Sequence, residues 1–263
     1  MSLPGLSVIT IGIDPNIHLG PVTLAWHGIT IALGIYIGYW LGARWLARRG
    51  HDPAPLQTLA LMLAAAGVIG GRLFYVLEHG GSLLGTRGFT FDGGFILAAV
   101  VLVVYVRRTA LNVVYLDAIA IWLPLGVAIG RIGDVINGEH YGAVSRSFLA
   151  VRNSHPDALT PNSALAYHNG GLYEVLLALF VFAAMLAASR FVRRPGDLSW
   201  LVIALFAIGR FGVFFLRSDS PELALGLSNA QWTSVGLLAV VVAGRTWAVR
   251  RGPPAAPPVS RAG

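Results

Sequence analysis

The sequence predicts an all-α polytopic membrane protein with about seven transmembrane helices. Of its 263 residues, 56% are hydrophobic and only 12% are charged, and the mean hydropathy is +0.69. Apolar runs recur along nearly the whole chain, and a run of about 20 apolar residues is long enough to cross the hydrocarbon core of a bilayer. This composition argues against one or two soluble globular domains.

The predicted helices follow one another as apolar runs bounded by polar or turn residues. They cover about residues 22–43, 56–77, 90–106, 112–132, 171–191, 198–216 and 229–249. We expect residues 1–251 to form a single membrane domain. Its longest connection, residues 133–170, is predicted to be a small head outside the cytoplasm. Residues 252–263 are rich in Pro and Ala and are predicted to form a disordered cytoplasmic tail.

The arginines between the helices predict the orientation. Eleven lie in one set of loops and four in the other. The larger set is Arg44, Arg48, Arg49, Arg107, Arg108, Arg190, Arg193, Arg194, Arg245, Arg250 and Arg251, and the smaller set is Arg87, Arg146, Arg152 and Arg217. Loops rich in basic residues stay in the cytoplasm. The N-terminus is therefore predicted to lie outside, and the C-terminus in the cytoplasm, as an odd number of spans requires.

The charge and the cysteine content exclude several classes of function. The net charge is +7, and every basic residue is an arginine, located mostly in short loops between apolar runs. This placement favours contact with anionic membrane lipid over binding to nucleic acid. The chain has no cysteine, so disulfides, thiolate metal sites and a cysteine nucleophile are excluded. The histidines lack a metal-ligand spacing such as HExxH, and no metal site is predicted.

Polar residues at the predicted outer ends of the helices are the strongest functional signal. The sequence GRIGDVINGEHYG ends the fourth helix, and other ionisable residues lie at similar positions in other helices. The set consists of Arg72, Asp92, Arg131, Asp134, Asn137, Glu139, Glu174, Arg210 and Arg217. An arginine at the centre of a bilayer costs about 2.5–3.5 kcal/mol, so ionisable residues in such segments indicate a function.

Two interpretations of this set are open. In the first, the residues form buried ion pairs that tie helices together, but such pairs often fail to offset their desolvation cost. Alternatively, the arginines bind an anion, because guanidinium groups bind phosphate in a bidentate way. The spacing of three between Arg131 and Asp134 places them on one helix face, and the spacing of seven predicts the same for Arg210 and Arg217. A phospholipid is the expected ligand, since its phosphate lies at this depth.

His27, in the sequence LAWHGI, has two interpretations as well. It is either a histidine whose hydrogen bonds are satisfied within the helices or a residue that takes part directly in proton transfer. The sequence favours the first.

These motifs resemble a known family. GRIGDVINGEHYG is similar to the signature of bacterial prolipoprotein diacylglyceryl transferases, which usually reads Gly-Arg-x-Gly-Asn-Phe-x-Asn-x-Glu. Five further segments are similar to family motifs in the same order along the chain, from about residue 20 to 250. They are GPVTLAWHGITIALG, GGRLFYVL, GFTFDGGFI, HNGGLYE and GRFGVFFLRSD.

The resemblance implies a reaction and its partners. The diacylglyceryl group of phosphatidylglycerol would move to the lipobox cysteine thiol of a prolipoprotein signal peptide, and glycerol phosphate would leave. No metal or organic cofactor would be needed, and the enzyme would lie in the bacterial inner membrane. The resemblance assigns catalysis to Asp92, Arg131, Asp134 and Arg210. It assigns substrate binding to Arg72, His27, Asn137, Glu139, Glu174 and Arg217.

The chain departs from the family pattern mainly where protons are handled. The family usually has His at Asp92, Tyr at His27, Asn at Asp134, Glu at Phe214, Pro at Asn169 and Gln at Gly171. The anion-binding arginines are kept. Asp92 can still act as a base, although a solvated carboxylate with a pKa near 4 is a weaker base than histidine.

Two other functions are weighed against the transferase. The chain could be a catalytically impaired paralogue that binds phospholipid or a lipoprotein peptide, which the changes at Asp92 and Phe214 favour. It could also be an anion channel or transporter. The lack of an internal repeat and the location of the polar residues at one side argue against that function.

Overall fold

The structure is a computed structural model that describes residues 8–20, 22–84 and 90–250, without the side chains of residues 22, 91 and 92. The predicted tail, residues 252–263, lies outside the described residues, and so do Arg87 and Arg251 of the orientation argument.

All seven predicted helices are present, and their ends lie within a few residues of the predicted ones. They are α1 (Trp26–Ala47), α2 (Ala54–His79), α3 (Phe91–Thr109), α4 (Val113–Asn137), α5 (Gly170–Ala188), α6 (Asp197–Val213) and α7 (Asn229–Arg250). Within the described residues, six of them are long and apolar enough to cross a membrane, and α3 is the exception. The chain is thus a mostly helical, multi-pass membrane protein.

The prediction of an all-α chain is wrong for the segments outside the bundle, whose described residues form eight short strands. They are β1 (Ile9–Ile11), β2 (Asn16–Leu19), β3 (Val22–Ala25), β4 (Tyr141–Val144), β5 (Ala150–Asn153), β6 (Tyr167–Asn169), β7 (Glu222–Ala224) and β8 (Leu227–Ser228). One sheet has four strands in the order β1-β5-β6-β4, with β1 parallel to β5 and the other pairs antiparallel. The segment 133–170 therefore supplies most of this sheet.

The first helix starts later than predicted because residues 22–25 pair with β2 instead. β2 and β3 form an antiparallel hairpin, and β7 and β8 form another. The backbone N–H of Trp26 donates to the Pro15 carbonyl at 3.1 Å, which joins the start of α1 to the chain just before the hairpin. Short β-branched segments such as this one gain more from ladder hydrogen bonds than from a first helical turn.

Glycines bring the helices close together in pairs. A Cβ on Gly34 of α1 would collide with the backbone of Gly126 in α4, and a Cβ on Gly70 of α2 would collide with Gly93 in α3. Small residues permit such close backbone contact, which in a bilayer replaces the hydrophobic effect as the source of helix association.

The bundle carries its apolar side chains outward and several charged ones inward. Leu61, Val68, Phe180 and Val242 are each more than half exposed, whereas Glu174 is buried. A soluble protein has the opposite arrangement, so the pattern agrees with a lipid-facing surface.

The two ends of the bundle differ. At one end, called the polar end here, the N-termini of α1 and α5 meet the C-termini of α4 and α6 beside the four-stranded sheet. At the other, called the arginine end, the C-terminus of α1 and the α5–α6 turn border a cavity of about 170 Å³. Its lining includes Trp45, Arg49, Asp117, Arg193 and Arg194. The arginine-rich loops α1–α2 and α5–α6 therefore lie opposite the polar end.

Candidate active site

The C-terminal end of α4 is shaped by a left-handed turn and by the sheet. Gly138 follows the helix with a φ of 75°, a conformation that glycine adopts without strain. The side-chain amide of Asn153, in β5, donates to the carbonyls of Val135 and Ile136 at 2.8 and 3.0 Å. These bonds satisfy carbonyls that the end of a helix leaves without partners, and they fix the end of α4 to the head.

Asp134 lies at the centre of this end and is 1% exposed. One carboxylate oxygen contacts Nδ1 of His27, which lies at the start of α1, and the other accepts a hydrogen bond from Arg131 one turn earlier. His27 comes this close because Gly133 has no side chain: a Cβ there would collide with the His27 backbone and with Thr30. Two helices far apart in sequence thus share one buried carboxylate.

Glu174 is the second buried carboxylate, 3% exposed, and three arginines surround it. Nε of Arg131 lies 2.6 Å from one of its oxygens, and Nη1 of Arg210 lies 3.5 Å from the same oxygen. Nη1 of Arg217 lies 3.5 Å from the other oxygen. Asn169 caps the start of α5 by accepting from the Leu172 N–H at 2.8 Å, which fixes the helix end that carries Glu174.

Arg217 does not lie on the same helix face as Arg210, which corrects the prediction from their spacing. α6 ends at Val213, a 3₁₀ turn covers Phe214–Leu216, and Arg217 is extended. The two arginines still meet, because both contact Glu174 from different backbone positions. Phe214 is buried between them, with its ring centre 5.2 Å from the Arg210 guanidinium and 4.3 Å from that of Arg217. An aromatic face can support both cations at the position where the family usually has Glu.

Asp219 supplies Arg217 with a bidentate partner. Its two oxygens lie 2.8 and 2.7 Å from Nε and Nη2 of Arg217, and one of them lies 3.1 Å from Nδ1 of His140. Burial alone would raise the pKa of Asp219, but the hydrogen bonds and charges of His140 and Arg217 outweigh it, and its pKa lies well below the usual range. Nε2 of His140 lies 3.6 Å from Asp134, so His140 stands between the two carboxylates.

Glu139 and Asn137 complete the polar end. The side-chain amide of Asn137 donates to Glu139 at 2.8 Å. His27, Asp134 and Glu139 place ligand atoms within 4.8 Å of one another, a spacing that a cation could bridge. The Arg131 guanidinium already contacts Asp134, however, so the chain itself supplies the positive charge that this carboxylate needs.

Two predicted site residues occupy other elements. Arg72 is buried on α2, where it donates to the Ser82 carbonyl and lies 5.5 Å from the Tyr75 ring centre. Asp92 is the second residue of α3, and its side chain lies outside the described residues. The other eight predicted residues meet at the polar end. They are His27, Arg131, Asp134, Asn137, Glu139, Glu174, Arg210 and Arg217.

The sequence did not single out three residues that hold this site together. Asp219 had a weak signal, since it follows Arg217 by two positions in the motif GRFGVFFLRSD. Asn153 had none, because a single Asn in a connecting segment is ordinary. His140 follows Glu139 in the α4 motif, but it lacks a metal-ligand spacing, and the sequence contains no other sign of its role.

The arrangement is suited to binding an anion. Arg131, Arg210 and Arg217 are matched in number by the carboxylates Asp134, Glu174 and Asp219, which hold the guanidinium groups in place. The side chains of Arg131 and Arg210 are 17% and 27% exposed, against 8% for Arg217. Arg131 and Arg210 therefore remain accessible to a ligand, while Arg217 is almost fully enclosed.

Comparison with known proteins identifies similar sequences along most of the chain. Residues 15–247 match the sequence model of a family described as prolipoprotein diacylglyceryl transferase. A protein from Geobacillus kaustophilus is 34% identical over 250 residues, which are 89% of this chain and 91% of that protein. One from Streptomyces coelicolor is 34% identical over 236 residues (83% and 74%), and one from Dehalococcoides mccartyi is 31% identical over 244 residues (88% and 92%). All three are named phosphatidylglycerol–prolipoprotein diacylglyceryl transferase, the second with the number 2.

Proposed function

Because the chain belongs to the prolipoprotein diacylglyceryl transferase family, we infer that it transfers the diacylglyceryl group of phosphatidylglycerol to a prolipoprotein. The acceptor is the thiol of a cysteine, in a lipobox of the signal peptide. The products are the thioether-linked lipoprotein precursor and glycerol phosphate. This reaction is a step of lipoprotein maturation.

The observation that carries this function is the group of arginines around buried Glu174. Arg131 and Arg210 approach the same carboxylate oxygen, at 2.6 and 3.5 Å, from different helices. Because this oxygen holds both guanidinium groups, their accessible N–H groups can bind one phosphate together. The group lies at the ends of candidate spans, which in the proposed topology is the depth of lipid phosphates.

The charge that develops in the reaction fits this site. The phosphodiester of phosphatidylglycerol carries one negative charge, and glycerol phosphate leaves with more. Cationic groups that are already in place stabilise the leaving group more than the bound lipid, which is the condition for catalysis. Arg131 and Arg210 are the proposed catalytic arginines, and Glu174 and Arg217 position them.

The remaining predicted residues are assigned supporting roles in substrate binding and proton transfer. Asn137 and Glu139 lie beside Asp134 and offer polar groups for the glycerol headgroup. Arg72, on α2, is proposed to bind the substrates from a separate helix. Asp92, the second residue of α3, is a candidate for the base that deprotonates the thiol, at the position where the family usually has His.

The proposed topology places the polar end outside the cytoplasm and the arginine end inside it. The arginine-rich loops α1–α2 and α5–α6 lie at the end opposite the site, which supports an external N-terminus and a cytoplasmic C-terminus. All seven helices would then cross the bacterial inner membrane, and the sheet with residues 133–170 would form the external head. This topology brings the site to the side on which signal peptides emerge.

A transfer assay tests the function. Purified protein in phosphatidylglycerol is mixed with a lipobox peptide, and the peptide mass is followed. We expect a gain of one diacylglyceryl group, absent when the cysteine is replaced by serine. Arg131→Gln should abolish transfer, whereas Arg146→Gln, at an exposed arginine of the head, should not.

The same assay distinguishes the transferase from a protein that binds lipid without activity. If the wild-type protein retains phosphatidylglycerol but adds no mass to the peptide, while another family member is active in parallel, the chain binds lipid without transferring it. If Arg131→Gln transfers normally, the arginine group is not the phosphate site.

A further inference from the structure

We infer that His27 is the base that removes the proton of the substrate cysteine, and that Asp134 is the carboxylate that orients it. This inference rests on the proposed transferase function. The two residues are 107 positions apart, on α1 and α4, and they form a direct side-chain contact in the site. The chain departs from the family pattern at both positions, and the two residues that differ contact each other directly.

The contact with Asp134 determines which nitrogen of His27 is available. A carboxylate only accepts hydrogen bonds, so Nδ1 of the neutral ring carries the hydrogen and donates it. Nε2 then has a free electron pair, and it makes no hydrogen bond within the described residues. The side chain of His27 is 39% exposed, against 1% for Asp134. One ring nitrogen is thus held by the protein, and the other remains for the substrate, as acid–base catalysis requires.

The position of the ring is fixed from both helices. The hydroxyl of Thr30, one turn after His27, donates to the Gly130 carbonyl of α4 at 2.9 Å. Arg131 holds the second oxygen of Asp134 and is itself held by Glu174. The base is therefore linked through two side chains to the carboxylate that organises the phosphate arginines. Thiol activation and phosphate binding share one rigid network.

The charges that surround His27 come from α4 and the turn after it. Asp134 and Glu139 stabilise the imidazolium that forms when the ring accepts a proton, and Arg131 opposes it. His140 faces the other side of Asp134, at 3.6 Å.

The proposed step transfers one proton and one group. The S–H bond of the cysteine breaks, and its proton moves to Nε2 of His27. The sulfur forms a bond to the glycerol carbon that bears the phosphate. The bond from this carbon to the phosphate oxygen breaks, and its electron pair leaves with glycerol phosphate. His27 then returns its proton to water, so that no oxidant, reductant or metal is required.

The experiment compares wild type with His27→Gln and Asp134→Asn in the lipobox transfer assay. General bases contribute about 10²–10⁴-fold to rate, so His27→Gln should lower kcat by about 100-fold or more. KM for the peptide and retention of phosphatidylglycerol should change little. Asp134→Asn should lower kcat by less, because an amide oxygen still accepts from Nδ1. His79→Gln, at an exposed histidine on α2, is the matched control and should retain wild-type activity.

A second acceptor separates proton transfer from a structural role. A peptide with selenocysteine in place of the lipobox cysteine is ionised at neutral pH and needs no base. His27→Gln should therefore recover most of its activity with this peptide, and also partly with cysteine as the pH rises past the thiol pKa near 8.5. A variant with a damaged structure would not recover. His27→Tyr keeps a ring but has no basic nitrogen. Like His27→Gln, it should lose activity with the cysteine peptide and recover with the selenocysteine peptide.

The outcomes are distinguishable. An inactive wild type refutes the proposed function. An active wild type together with an active His27→Gln variant refutes the inference alone. If His27→Gln loses activity that selenocysteine does not restore, while Asp92→Asn loses activity that it does restore, Asp92 is the base instead.

Discussion

Arginines gather at both ends of the bundle, but their surroundings differ. At the polar end, Arg131 and Arg217 contact the buried carboxylate of Glu174, which lies on another element. At the arginine end, Arg49 lies over the Trp45 ring at 3.7 Å, and Arg193 is exposed on a turn. The number of arginines in the loops therefore indicates how the protein is oriented in the membrane. Arginines that pair with buried carboxylates indicate a functional site instead. Substitutions at the two ends should therefore have very different effects.

The largest effect is expected for Glu174→Gln at the polar end. Removing one partner of a buried ion pair typically costs about 3–5 kcal/mol, and three arginines depend on this carboxylate. The variant should lose transfer activity and unfold at a clearly lower temperature in detergent. A Glu174→Gln protein with wild-type stability would mean that the arginines do not need this carboxylate. Glu78→Gln, at a half-exposed glutamate of α2, serves as the control.

The next effect tests whether the close approach of α1 and α4 builds the site. Gly133→Ala places a Cβ against the His27 backbone and Thr30, and overpacking of this kind costs about 1–3 kcal/mol. We expect reduced stability and a larger loss of activity, since His27 is displaced from Asp134. Gly28→Ala is the control, because a Cβ there meets nothing within 4 Å. Equal behaviour of the two variants in both assays would contradict this account of the α1–α4 contact.

A smaller, pH-dependent effect is expected for Asp219. Because its folded pKa is lowered, the ionised carboxylate stabilises the fold above its unfolded pKa near 3.9, and this contribution is lost as the pH falls through the folded value. Asp219→Asn should lower the unfolding temperature at pH 7, and the difference from wild type should shrink below pH 4. A difference that does not depend on pH would show that the ion pair with Arg217 is not its source. The size should be about 1 kcal/mol or less, since Asp219 keeps contact with solvent.

The smallest effect is expected at the arginine end. Arg49→Gln and Arg193→Gln remove exposed charges, which usually changes stability by about 0.5 kcal/mol or less. Transfer activity should stay within about twofold of wild type, because these residues lie at the opposite end from the site. A strong loss of activity in either variant would remove the distinction between the two ends.

Much of the fold was predictable because hydropathy along the chain reports lipid exposure directly. The apolar runs indicated all seven helices, and the charged motif after α4 marked the polar end. The strands were not predicted, since segments of three or four residues show no distinct periodicity. The apolar run of residues 22–25 therefore extended the predicted first helix, although it pairs with β2.

The composition of the site was predictable, but its connections were not. Charged residues in apolar segments are conspicuous in a sequence, and most of them meet in the structure. Their partners are not conspicuous: the spacing of Arg210 and Arg217 suggested a common helix face, whereas a 3₁₀ turn separates them. His27 and Asp134 are joined only by the packing of α1 on α4, which no local pattern reports.

The pairing of α1 with α4 has a consequence for the order in which the protein is made. α1 enters the membrane while α4 is still untranslated, so His27 and Thr30 reach the bilayer before the groups that satisfy them exist. α1 also has the lowest mean hydropathy of the six spanning helices, 1.2. Glu174 follows only with α5, and Arg210 and Arg217 only at the end of α6. His27 can therefore meet Asp134 once α4 has been made, whereas the three arginines around Glu174 come together only after Arg217 has been synthesised.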